Sequence, residues 1–492
     1  MLHPLLYEIN TRCWLRALTE QQRRPITLAD VLDTEFDFWQ QSGFSHIWLM
    51  GVWTTGPRSQ AQALAHPDLR RLFAEAKPNW TDADVPGSPY AIADYHVSQV
   101  LGGDVGLETF RRKLQARGLK LLVDFVPNHL GLDHAWLQER PELFVQSASP
   151  APGCFKQETS AGVRYLAYGK DPYFPPWTDT VQLDYRNEIT RTTMLEVLQS
   201  IAERSDGVRC DMAMLLLNDV FAKTWQTLPA SGAGPITEFW GEAIKAVKRQ
   251  HPSFSFLAEA YWGTEPRLRE LGFDYTYDKE LYDKLISRDP AGVQRHLIHA
   301  PREQIDASAH FLENHDEPRI ASLLSLTEHR AAALVILGTP GMRFLHEGQL
   351  SGAVRRLPVQ LGCRTAEPVQ PDIEKIYQQL LSMLARTTVG QGQAQILAPK
   401  PAWKGNPTSQ NFVIIQWQAQ APGFDLVVVN LAPHRSQCYA PLSVASLGDH
   451  DWTMGDLLGT EHYARQGADL KRDGLYLDLP EHGAQLFHFD PV

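Results

Sequence analysis

The chain has 492 residues, 43% of them hydrophobic and 21% charged, with a formal net charge of −11. It is too long for one small core, and an acidic chain lacks the basic surface that a nucleic-acid backbone requires. Its five cysteines (Cys13, Cys154, Cys210, Cys363 and Cys438) show no CxxC or zinc-type spacing, which reads as reduced thiols.

The N-terminal stretch MLHPLLYEINTRCWL has no basic segment followed by a long apolar one, so no signal peptide is expected. The longest apolar runs, such as AAALVILG at 331–338, are too short to span a bilayer, and a cytoplasmic protein is expected. Eight strand-like runs follow in order: 5–10, 46–51, 120–126, 207–212, 255–260, 274–278, 310–314 and 341–347. Most are separated by amphipathic helical stretches. In 106–118, Leu107, Phe110 and Leu114 fall at helical spacing and Gly118 stops the run. Strands alternating with helices imply βαβ units, and eight units predict a (β/α)8 TIM-type barrel.

One connection breaks the rhythm. From Leu130 onward the chain is rich in Pro, Gly and aromatics (SASPAPGCF, YGKDPYFPPWTD) until a helix near 187–205. So long a structureless loop is improbable, so 130–185 is read as an inserted subdomain over the barrel mouth. The barrel then comprises 1–129 and 186–390. After about residue 390, NFVIIQWQ and FDLVVVNLAP are strand-like, no amphipathic helix is evident, and 391–492 is read as a C-terminal all-β sandwich.

The polar residues that close the strands carry the chemistry. Asp124, Asn128 and His129 follow the third strand. Arg209 and Asp211 end the fourth, Glu259 the fifth, and Asn314, His315 and Asp316 the seventh. In such a barrel all strands finish on one face, where these groups would converge. Alone, the Arg209–Asp211 pair reads first as a structural salt bridge. In a cluster, carboxylates repel, so one keeps a proton while an adjacent arginine holds another ionised. An acid and a base of unlike pKa suit cleavage of a glycosidic bond.

These residues resemble the short motifs of the α-amylase family, glycoside hydrolase family 13: DFVPNH (124–129), GVRCD (207–211), FLAEAYW (256–262) and FLENHD (311–316). QLDY (182–185) is similar to the motif closing the family's inserted domain, and SPYAIADYHVSQV to its segment after strand two. The resemblance implies Asp211 as nucleophile and Glu259 as general acid and then base. It implies Asp316 binding ring hydroxyls, Arg209 orienting Asp211, His129 and His315 binding hydroxyls, and Tyr90 stacking under the reacting sugar. It has Asp124 and Asn128 holding the third-strand loop.

There are departures. Starch-cleaving members often follow the nucleophile with Lys-His and bind calcium; here Met212, Ala213, Met214 and Leu215 follow Asp211, and the first-strand loop lacks a D-x-D cluster. No essential metal or other cofactor is therefore expected. RRLPVQLG (355–362) is faintly similar to the R-x-P-M-Q-W stretch of the oligosaccharide-acting branch. The reading is a retaining α-glycosidase acting on short α-linked glucosides. A transglycosylase or isomerase of the same fold is the alternative, and a non-catalytic carbohydrate-binding relative a remote one. The expected partner is an oligosaccharide substrate, with no nucleic acid and no membrane.

Overall fold

The computed structural model describes residues 3–230, 234, 236–419 and 423–492. Eight parallel strands close into a barrel: β1 (Leu5–Asn10), β2 (His46–Met50), β3 (Lys120–Phe125), β4 (Gly207–Cys210), β5 (Ser255–Ala258), β6 (Tyr275–Tyr277), β7 (Ser308–Phe311) and β8 (Met342–His346). Each pairs with its neighbours in chain order, and β1 pairs with both β2 and β8, which closes the ring. Every residue of β1, β2, β4, β5, β7 and β8 is buried, as expected of strands covered on both faces. Inward-facing Leu6, Trp48, Leu122, Leu257, Tyr277, Phe311 and Phe344 fill the barrel as one apolar plug. The expected seventh strand is displaced: β7 starts two residues earlier and ends at Phe311, so Leu312–Asn314 already belong to the loop at the mouth.

The eight runs read from the sequence thus all appear as barrel strands, and the helix Gly103–Gln115 lies on its expected residues to within three. A second excursion, not foreseen, follows β2. It contains the antiparallel strands Trp53–Thr55 and Ile92–Val97, with helices Pro57–Ala65 and Pro67–Ala76 between them. It leaves the barrel at Gly51, whose φ of +76° and contact with Pro89 exclude a side chain.

The segment after β3 pairs its ends, His129–Gly131 against Thr180–Gln182, and encloses a three-stranded sheet of Gln146–Ser147, Gly162–Ala167 and Cys154–Thr159. At Gly131 a Cβ would sit 2.4 Å from the Ala91 carbonyl oxygen, so a glycine is what lets this segment lie against the excursion carrying Tyr90.

At the C-terminus a six-stranded antiparallel sheet, centred on Phe424–Asn430 and Ala484–Pro491, accompanies a three-stranded sheet. Phe412, Ile414, Leu426, Val428, Cys438, Leu475 and Leu477 form the core between them. The other face of the six-stranded sheet packs on the barrel, where Trp417 Nε1 donates to the Gly338 carbonyl at 2.8 Å. A short helix, Gly467–Asp473, interrupts what the sequence suggested was strand alone. Among the described residues no helix is long and apolar enough to cross a membrane.

Candidate active site

Register brings the acids together. Arg209 of β4 lies opposite Asp124 of β3 and Leu257 of β5, and Cys210 opposite Ala258. One step beyond the strand ends the ladder continues: the Asp211 N–H donates to the Phe125 carbonyl at 2.9 Å, and the Glu259 N–H to the Cys210 carbonyl at 3.1 Å. Asp211 and Glu259 are therefore neighbours across adjacent strands. Alternation puts Arg209 and Asp211 on one face, with Leu257 and Glu259 on the corresponding face of β5.

The guanidinium of Arg209 bridges the two acids. Nη1 lies 2.6 Å from Asp211 Oδ1 and Nη2 lies 2.8 Å from Glu259 Oε2. Arg209 is wholly buried, and its charge is flanked by the rings of Trp48, Tyr90 and Tyr277 at 5.4–5.8 Å. Met212 follows in a left-handed conformation (φ +43°), which aims its N–H at Glu259 Oε2 (2.7 Å). A non-glycine residue there is strained, as residues at functional turns often are. The second oxygen, Oε1, faces the Tyr261 hydroxyl at 2.9 Å.

These contacts locate the proton. Oε2 meets only donors, so a protonated Glu259 carries its hydrogen on Oε1, with the Tyr261 hydroxyl rotating to accept it. Burial pushes this carboxyl up to about 7, Arg209 opposes, and the charges of Asp211 and Asp316 add to the rise. Burial also raises Asp211, against the charge and hydrogen bond of Arg209.

Asp316 differs from both. Its side chain is 42% exposed, and His315 Nε2 lies 3.0 Å from Oδ2. What burial it has works against ionisation, but the His315 charge and hydrogen bond, with Arg209 and Arg356, hold it well below the usual range. His315 also contacts the Tyr90 hydroxyl (2.9 Å) and lies nearly parallel to its ring, centroids 5.6 Å apart. Tyr90, His315 and Asp316 thus form one connected wall.

The remaining expected residues surround this centre. Asp124 does not brace its own loop as expected; it reaches to β2, accepting from Trp48 Nε1 (3.1 Å) and the Gly51 N–H (2.7 Å). Burial pushes it up to about 6 against the pull of Arg209. Asn128 ties the two ends of the insertion together, exchanging hydrogen bonds with Gln182 at 2.9–3.2 Å. His129 is buried beside Trp177, and that burial lowers it to about 4, so it is neutral at pH 7. All nine residues singled out from the sequence lie at or next to the C-terminal mouth of the barrel.

Three further groups escaped the sequence reading: Tyr261 on the acid, Tyr277 under Arg209 (Nε to hydroxyl 3.3 Å), and Glu8, whose carboxylate accepts from His315 Nδ1. The signal for Glu8 was available, since a charge in the apolar run LLYEIN is as odd as Arg209 in its own. A cavity of about 920 Å³ beside Tyr261 and Trp262 is lined by Glu265, Asp278, Lys279 and His296 and by none of the three acids. Among the described residues no group of three or more His, Cys, Asp or Glu is arranged to hold a metal ion.

A family model for the α-amylase catalytic domain matches residues 32–160. Alpha-amylase 3 of Dictyoglomus thermophilum is 21% identical over 287 residues, covering 54% of this chain and 53% of its own. Alpha-amylase MalA of Haloarcula japonica is 24% identical over 274 residues, covering 54% and 36%. The alignments thus span about half or less of these relatives. Among solved structures, the noncanonic maltogenic α-amylase AmyB of Thermotoga neapolitana superposes with a TM-score of 0.69 over 99% of both chains at 18% identity. The α-amylase of Geobacillus thermoleovorans, in complex with acarbose, gives 0.66 at 17% identity, covering 99% of this chain and 98% of its own. The trehalose-6-phosphate hydrolase of Bacillus licheniformis gives 0.64 at 14% identity over 99% of both. The chain is thus similar to members of the α-amylase family, in its fold and in the four motifs that meet at one barrel mouth.

Proposed function

We propose that the protein is a retaining α-glycoside hydrolase acting on short α-linked gluco-oligosaccharides or small α-glucosides. One observation carries this reading: two buried carboxylates, opposite each other on adjacent strands, share a single guanidinium and differ in their other partners. Adjacent strands lie about 4.8 Å apart, which is closer to the spacing of about 5–5.5 Å in retaining enzymes than to about 6.5–9.5 Å in inverting ones.

Asp211, held by Arg209, attacks the anomeric carbon. Glu259 delivers the Oε1 proton to the departing oxygen, and the sugar is left as an ester of Asp211. Glu259, now ionised, takes a proton from water, which attacks the anomeric carbon, expels Asp211 as a free carboxylate and so restores the original configuration. Asp316, His315, His129 and Tyr90 bind the glycone. No step requires a metal.

The test is to incubate the full chain with maltose, longer malto-oligosaccharides, sucrose, trehalose and an aryl α-glucoside, following anomers by NMR. Sugar released first as the α-anomer supports the proposal. The β-anomer would refute retention. New disaccharides without net hydrolysis would replace hydrolysis with transglycosylation.

A further inference from the structure

Glu8 plays no part in the steps above, yet it lies directly beneath them. It follows Leu6 by two residues and so shares the inward face of β1, above the apolar plug. It is completely buried. A buried carboxylate is stable only with a cation or donors to answer it. Here Oε1 accepts from His315 Nδ1, while Oε2 has no hydrogen-bond partner among the described residues; His346 Nε2 stands 4.0 Å from it. Across the same imidazole, Nε2 meets Asp316 Oδ2 at 3.0 Å and the Tyr90 hydroxyl at 2.9 Å.

A neutral imidazole has one N–H. Two carboxylates, one at each ring nitrogen, both require a donor, and only the doubly protonated ring supplies both. We propose that Glu8 is a positioning residue that clamps His315 as an imidazolium between two carboxylates and, through that ring, sets the orientation of Asp316 and Tyr90 at the sugar. The proposal rests on the glycosidase reading of the site.

The surroundings agree on the sign. Burial opposes a charged ring, but Asp316 and Glu8 overcome it and raise His315 well above the usual histidine range. The charges of Asp211, just past β4, and Asp124, within β3, also act on the ring. Glu317, Arg319, His346 and Arg356 line the same hollow as His315. Trp48 closes the remaining side with its ring edge, 5.6 Å away at 80°.

Two measurements test this. Neutron diffraction of the full wild-type chain at pH 8 should show deuterons on both nitrogens of His315, where an ordinary histidine is mostly neutral. A single deuteron there would overturn the proposal, whatever the turnover. In Glu8→Gln the ring loses its partner charge but can still be protonated by acid. The wild-type to variant ratio of kcat/KM should be a few-fold at pH 5 and grow to about 100-fold at pH 8. A loss independent of pH would mark a merely structural role and overturn the proposal. If the variant does not fold, the neutron result decides. Wild-type chain inactive on every α-glucoside would sink the glycosidase reading but leave the state of His315 measurable.

Discussion

Glu259→Gln separates what the acid does for catalysis from what it does to stability. In the folded chain its carboxyl titrates at about 7 instead of the ordinary 4.5. A raised carboxylate pKa favours folding below pH 4.5, and that contribution is lost as pH rises through 7. The difference of 2.5 units, at about 1.4 kcal/mol each, makes the ionised form about 3 kcal/mol less stable at pH 9 than the protonated form at pH 4. Glutamine imitates the protonated acid atom for atom. Its oxygen takes the place of Oε2 and accepts from Met212 and Arg209, and its amide takes the place of Oε1 and donates to Tyr261. The variant should therefore match wild type in stability at pH 4–5 and exceed it by about 3 kcal/mol at pH 9. With an unfolding entropy near 2.1 cal/mol/K per residue, that is a rise of about 3 °C in Tm if both domains melt together. Calorimetry at the two pH values reads it. A variant less stable than wild type at pH 9, or one with the same difference at both pH values, would refute the placement of the proton. Activity should move the other way. Wild-type kcat/KM on alkyl α-glucosides should fall as pH rises through about 7, and the variant should retain activity only on substrates with good leaving groups.

Asp211→Asn should lower kcat by about 10⁴-fold while the circular dichroism melt stays within a few degrees of wild type, because Arg209 keeps Glu259 as a partner. Activity within tenfold of wild type would exclude Asp211 as nucleophile. Asp124→Asn places an amide where two donors, Trp48 Nε1 and the Gly51 N–H, both point; one is left unanswered, and denaturant unfolding at pH 8 should show a loss of about 1–3 kcal/mol. Dialysis against EDTA should leave both melting temperature and turnover unchanged, and restoration by added calcium would contradict the metal-free reading.

The barrel was legible because its strands are short, apolar and separated by helices of clear period. Its errors have physical causes. In HFLENHD, Leu312 and Glu313 are as fully buried as the strand before them, so the sequence hides the point after Phe311 where the chain leaves the barrel. The helix Gly467–Asp473 is too short for periodicity to register. Asp211 and Glu259 were legible as neighbours because each stands just past a strand end, whereas Asp316 lies further along the loop after Phe311. Glu8 stood out as a charge in an apolar run, but its pairing did not, because its partner His315 lies 307 residues away. Tyr90 was assigned by resemblance, and the structure adds what the motif does not contain: its ring is held by His315 and lies near the Arg209 charge.

The charge balance of the mouth explains why so many acids are buried there. Glu8, Asp124, Asp211, Glu259 and Asp316 gather around two cations, Arg209 and His315. If all five were ionised, three negative charges would stand unanswered in a confined space. The site relieves this by holding protons, with Glu259 raised to about 7 and Asp124 to about 6. Below these values the acids and cations nearly cancel; above them the mouth turns negative. An oxocarbenium-like transition state places positive charge on the ring between Asp211 and Asp316. A site poised near neutrality, with its ionised carboxylates fixed before substrate arrives, can answer that charge without reorganising. On the proposed mechanism Arg209 and His315 keep those carboxylates ionised and in place, so a buried arginine two residues before an aspartate would serve catalysis as well as the barrel wall.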